Sequence, residues 1–167
     1  NGSVWSTMAG GPDGAVNALV LDASGALYAG GSFKGSTKGT RVSRWTGTAW
    51  TAVGDGADDT VYCMAADGSG KIYAGGAQFA SGSVPVNHLS YWDGANWSAL
   101  GVAAGFTGTV TAVAADGQGN VYAGGAFVPV HDGFANRVAK WNGSDWLALG
   151  SGSYGKIDAV VTDGELS

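Results

Sequence analysis

Val61-Tyr-Cys-Met-Ala-Ala66-Asp67-Gly-Ser-Gly70-Lys-Ile-Tyr73-Ala-Gly-Gly76 decides the fold, because the chain carries this pattern three times. An apolar run, a turn and Tyr-Ala-Gly-Gly also span Val16 to Gly31 and Val110 to Gly125. Downstream of each copy stand two tryptophans five residues apart: Trp45/Trp50, Trp92/Trp97 and Trp141/Trp146. Counted from Trp5, the second tryptophan recurs at Trp50, Trp97 and Trp146, with spacings of 45, 47 and 49 residues. Self-similarity at such a period marks a repeat architecture, whose units cannot bury their apolar faces alone.

Each unit reads as four strands. The first is Val16–Leu21, Val61–Ala66 or Val110–Ala115, almost continuously apolar or small, as a strand covered on both faces requires. Asp22-Ala-Ser-Gly25, Asp67-Gly-Ser-Gly70 and Asp116-Gly-Gln-Gly119 follow. Aspartate bonds its own downstream backbone and glycine accepts positive φ, so these are hairpin turns. The second strand ends in the paired glycines, and after a variable loop the third ends on the first tryptophan. Thr46-Gly47, Asp93-Gly94 and Asn142-Gly143 then turn the chain into a fourth strand holding the second tryptophan.

Four antiparallel strands per repeat predict an all-β chain of β-propeller blades, at about 15–54, 60–101 and 109–150. The ends read as partial blades. Asn1-Gly-Ser-Val-Trp5 matches Asn142-Gly-Ser-Asp-Trp146, giving a lone outer strand within 1–8, and Ile157–Asp163 matches Val16–Asp22, giving an inner strand within 157–167. The first residue is Asn1 rather than Met, which reads as processing or as a piece of a longer polypeptide. Three arrangements stay open: part of a ring of about six to eight blades, two copies sharing one ring, or a compact ring of about four. An open terminal blade would expose an apolar face and invite self-association.

The apolar strand ending in Gly-Gly, the variable loop and the aromatic followed by Trp resemble the kelch-type repeat over Trp5 to Asp163. The first aromatic here is Trp, where a kelch unit usually carries Tyr, and the gap to the next Trp is shorter. The pattern is most similar to glycine-rich, kelch-like propellers of extracellular and cell-surface proteins. That resemblance implies an extracellular or cell-surface location and a scaffold that binds protein or glycan.

Composition narrows the function. Of 167 residues 45% are hydrophobic and 13% charged, which excludes a disordered chain. The net charge of −5 and the scattered Lys and Arg disfavour nucleic acid. No apolar stretch approaches the length that spans a bilayer, and no signal peptide is legible.

Motifs with possible chemistry mostly dissolve on comparing repeats. Gly150-Ser-Gly-Ser-Tyr-Gly155-Lys156 approximates a phosphate-binding loop, but Ile157 stands where Ser or Thr is needed and the segment leads into a predicted strand. Cys63 corresponds to Ala18, Ala112 and Ala159, a small buried position rather than a nucleophile. His88 and His131 lie in the long loops without a metal-ligand set, and the Tyr and His ligands of a copper-radical oxidase are not seen. Asp55, Asp58 and Asp59 form an acidic loop without the spacing of a helix-loop-helix calcium site. Asn1, Asn96 and Asn142 fit the N-glycosylation pattern, although Asn1 and Asn142 also occupy turn positions. No cofactor, metal or enzymatic activity is expected.

Variation between repeats is confined to Phe33–Thr40, Phe79–His88 and Phe127–Asn136, with Gly54–Thr60, Gly101–Thr109 and Gly150–Lys156. Strand alternation places both sets at one end of the sheets, where variable loops on a rigid frame recognise ligands. The candidate contacts are Lys34, Lys38, Arg41, Asp58, Asp59, Asn87, His88, Phe106, His131, Asp132, Phe134, Asn136, Arg137 and Tyr154. The expectation is a non-enzymatic binding module for protein or glycan. The alternatives are a subunit of a self-assembling surface layer or filament, and a non-catalytic fragment of a kelch-like propeller enzyme.

Overall fold

The structure, a computed structural model, describes residues 7–8, 10–34, 41–77, 80–81, 83–101, 106–128 and 137–162. They form three four-stranded antiparallel sheets, with no helix among the described residues. The first holds β1 (Val16–Leu21), β2 (Leu27–Gly31), β3 (Val42–Trp45) and β4 (Trp50–Ala52) in chain order. Next come β5 (Val61–Ala66) and β6 (Ile72–Gly76), then a small hairpin of β7 (Ala80–Ser81) and β8 (Val84–Pro85). With β5 and β6, β9 (Leu89–Trp92) and β10 (Trp97–Ala99) complete the second sheet. The third contains β11 (Val110–Ala115), β12 (Val121–Gly125), β13 (Val138–Trp141) and β14 (Trp146–Ala148). The fold is all-β and blade-like, in an arrangement compatible with a propeller.

The repeats agree to the level of register. The inner pairs β1–β2, β5–β6 and β11–β12 each bulge at one place, after Val16, Val61 and Val110. A bulge re-aims a side chain, and two of the three bulged residues bond the next inner strand or segment. Asn17 Nδ2 donates to the Val61 carbonyl at 2.9 Å, and Thr111 Oγ1 donates to that of Ile157 at 2.5 Å.

Two cores lie between sheets rather than within them. Tyr28, Val42 and Val53 of the first repeat meet Val61, Ile72, Ala74 and Trp97 of the second. Cys63, Ala65, Tyr73 and Leu89 of the second meet Val110, Val113, Val121, Ala123 and Ala139 of the third. Each fully buried Val or Ile among them is worth about 1.5–3 kcal/mol relative to exposure. Glycine makes the stacking close. A Cβ at Gly30 would fall 2.7 Å from Val61 Cγ1 and Met64 Sδ, and one at Gly75 would fall 2.7 Å from Val110 Cγ1.

Tryptophan builds the outer rim. The pairs Trp45–Trp50, Trp92–Trp97 and Trp141–Trp146 share one geometry, with centroids 5.5, 5.6 and 5.7 Å apart and planes tilted 53–54°. Trp97 Nε1 donates to the Val53 carbonyl at 2.8 Å, and Trp146 Nε1 to that of Leu100 at 3.0 Å. The second and third sheets are thus each tied to the preceding sheet by an indole.

Two expectations need correction. The inner strands are not all covered on both faces: on β1, Leu19 and Leu21 are 61% and 59% exposed, because no described sheet stacks on that side. Of the inner strand expected within 157–167, the described part, 157–162, pairs with no strand among the described residues. It still lies against β11, with Thr162 Oγ1 donating to the Ala115 carbonyl at 3.2 Å. Residues 1–6 and 163–167, and with them most of the N-terminal partial blade and part of the C-terminal one, lie outside the described residues.

Candidate functional site

The two ends of the sheets differ. At one end the turns close on themselves. Asp22 Oδ1 accepts from the amides of Ser24 and Ala26, each at 2.9 Å, and from Ser24 Oγ at 2.6 Å. Asp67 and Asp116 repeat the amide pattern with Ser69 and Lys71, and with Gln118 and Asn120. Burial raises the Asp22 and Asp116 carboxyls, but these donors and the nearby Arg44 and Lys140 outweigh it and hold both below the usual range. At the second hairpin, Asn142 Oδ1 accepts from the Ser144 and Asp145 amides at 2.9 and 2.8 Å. Asp93 does likewise for Ala95 and Asn96. The Asn142 side chain therefore works as a turn residue.

At the opposite end, the loop entering each sheet is bonded to the loop leaving its second strand. The Lys34 amide donates to Asp13 Oδ1 at 2.7 Å, and the Ala80 amide to Asp58 Oδ1 at 3.1 Å. In the third repeat, Thr107 Oγ1 donates to the Val128 carbonyl at 2.8 Å. Phe33 and Phe127 are buried beneath these crossings. The returning strand enters through Arg41, His88 or Arg137, whose carbonyls accept from Gly31, Gly76 and Gly125 at 3.1, 3.0 and 3.0 Å. Three residues that can carry positive charge thus stand at one position of adjacent sheets.

Backbone strain gathers at the same place. Among the described residues, the non-glycine positions with positive φ are Asn87 (44°), His88 (76°) and Arg137 (67°). Such conformations cost of the order of 1–3 kcal/mol each and persist only where surrounding contacts hold them. Arg41 Nη1 lies 3.3 Å from Asp59 Oδ1, which also caps the Thr60 amide at 2.6 Å. Burial lowers the His88 pKa, while a backbone hydrogen bond with Gly76 and the charge of Asp58 pull it upward.

The expected contact residues separate into groups. Lys34, Asp58 and Asp59 are exposed at this end, Arg41, Asn87 and Arg137 are half-buried, and Tyr154 is 99% exposed. His88 is buried, so its backbone shapes the loop more than its ring can meet a ligand. Phe106 is a correction. It is buried, with its ring centroid 4.1 Å from Phe127 and 4.7 Å from Trp146, because its loop folds an aromatic back into the core. Lys38, His131, Asp132, Phe134 and Asn136 lie outside the described residues, as does Asn1.

Two clefts flank Trp92 at the junction of the first and second sheets. One, of about 190 Å³, is lined by Asp55, Ser83, Asn96 and Trp97 among others; the other, of about 410 Å³, by Asp22, Tyr28, Arg44 and Asp93. Sequence reasoning missed Arg44, Ser83 and the cleft role of Asp55, because the linings are assembled from different repeats.

Cys63 is buried with Sγ 3.8 Å from the Val110 carbonyl, and burial pushes its thiol up to about 12, the wrong direction for a nucleophile. Among the described residues no group of three or more His, Cys, Asp or Glu could hold a metal ion. No protein-family model and no curated protein matches the chain.

Proposed function

We propose that this chain is a non-enzymatic, kelch-like β-propeller module of the cell exterior, presenting one loop-bearing end of its sheets to a protein or glycan. The observation that carries the reading is the asymmetry between the two ends. At one, uniform turns satisfy their own polar groups. At the other, divergent segments rise from hydrogen-bonded crossings, with Arg41, His88 and Arg137 at matched positions. A rigid frame with variable loops lowers the ordering cost of binding. The pairing of Asp59 with Arg41 mixes charge signs at that end, which suits a polar ligand. The inert environment of Cys63 favours binding over covalent catalysis.

The reading is tested by glycan-array and immobilised-protein binding. A ligand found there should lose at least about tenfold in affinity, about 1.4 kcal/mol, with Lys34→Glu or Arg41→Ala. Ser24→Ala, in a turn at the opposite end, should leave affinity unchanged. Binding that tracks Ser24 and ignores Lys34 and Arg41 would reverse the assignment of the face.

A further inference from the structure

We infer that the face of the first sheet on which no described sheet stacks is an interface with a second copy of this chain, seated against that copy's third sheet. The two internal junctions supply the template. At the rim, the Trp92/Trp97 pair lies over Gly54 and the Trp141/Trp146 pair over Gly101, where an added Cβ would fall 2.7 Å from Trp92 and 3.0 Å from Trp141. The second indole of each pair donates to the carbonyl just before that glycine, on Val53 and Leu100. Nearer the inner strands, Val61 and Met64 sit on Gly30, and Val110 sits on Gly75.

The two outward faces carry the unmatched halves of these contacts. On the first sheet, Trp50 occupies the position of Trp97 and Trp146, and its Nε1 is buried without a hydrogen-bond partner. Val16 and Leu19, which correspond to Val61 and Met64, are 43% and 61% exposed. On the third sheet, Leu149 and Gly150 correspond to Val53-Gly54 and Leu100-Gly101. No atom lies within 4 Å of a Cβ built at Gly150, so this rim seat receives no tryptophan. A second copy would bring the Trp45/Trp50 pair toward the open rim seat at Gly150.

The inner seat is occupied, and by a look-alike. Ile157 and Val160 rest on Gly124 as Val61 and Met64 rest on Gly30. Their segment, 157–162, forms no strand, and Val161 is 90% exposed. Its hold on the third sheet includes the bonds from Thr111 and Thr162 and a 3.4 Å bond from the Ile157 amide to the Gly125 carbonyl. The competing Val16–Leu21 strand of a second copy arrives backed by its own sheet and brings the rim contacts with it. Exchange of equivalent segments between copies is a low-cost route to association. Reciprocal contacts in a pair would unite six sheets, within the range of about 4–8 blades of closed propellers.

Sedimentation velocity on the full chain, from low to high micromolar concentration, tests the interface. Reversible head-to-tail association is expected. Leu19→Lys, at an exposed site, should weaken it about a hundredfold or more while leaving the circular dichroism spectrum unchanged. Ile157→Ser should strengthen it by loosening the competing segment. A chain that stays monomeric, association indifferent to Leu19→Lys, or weaker association of Ile157→Ser would each overturn the proposal. The loop variants Lys34→Glu and Arg41→Ala should not affect assembly, so this result and that of the ligand tests stand apart.

Discussion

Cys63 and His88 show how much one residue owes to its place in the repeat. The sequence already marked Cys63 as small and buried, since alanine fills the equivalent positions, and its Sγ indeed packs toward the next inner strand. Its thiol should resist a disulfide-exchange reagent in the native chain at pH 8 and react promptly once the chain is unfolded; fast native labelling would contradict this burial. The burial of His88 had no such control, because the equivalents Arg41 and Arg137 are half-buried. Its pKa lies below the ordinary 6.5 when folded. The unfolded chain therefore takes up the proton first, and stability present above that value is lost as pH falls through it toward the folded pKa. In urea titrations from about pH 7 down to about pH 5, His88→Asn should flatten this loss while tolerating the positive φ. An unchanged slope would show that His88 is not its source.

At the scale of elements, the turn chemistry and tryptophan spacing made the strands legible to within a residue or two. The Asp-x-x-Gly turns fix hairpin register locally, so little tertiary information was needed for β1, β5, β11 and their partners. The β7–β8 hairpin was not legible: its strands are two residues each, too short for an alternation signal. The segment after Lys156 pairs with no described strand over 157–162. It has a strand's composition, but a strand also needs a hydrogen-bonding neighbour. The tryptophan ties predict a graded mutational series. Trp97→Phe should cost about 1 kcal/mol or more in urea unfolding, having lost the bond to Val53. Trp50→Phe, measured on monomeric protein, should cost less, since its N–H has no partner there. Gly75→Ala should cost about 1–3 kcal/mol, because the new methyl meets Cys63 and Val110. Gly155→Ala, with open space around the site, should fall within about 0.5 kcal/mol of wild type.

At the scale of the molecule, stability is a property of junctions. The second sheet contributes to both apolar clusters, whereas the first lacks a described neighbour beyond β1. The stacking was legible because apolar inner strands and paired tryptophans cannot be satisfied inside one sheet. The ligand-facing surface was legible only as an end of the sheets, since recognition depends on side chains that differ between repeats and so escape internal comparison. Native-state hydrogen exchange tests the central claim, that each sheet is completed by the next, most directly. Measured on monomeric chain, with Leu19→Lys to hold it so, amides of β6 (Ile72–Gly76) should exchange slowest. Those of β1 should exchange fastest among the three inner strands. Equal protection of β1, β5 and β11, or a second sheet no slower than the first, would mean that the sheets stand alone.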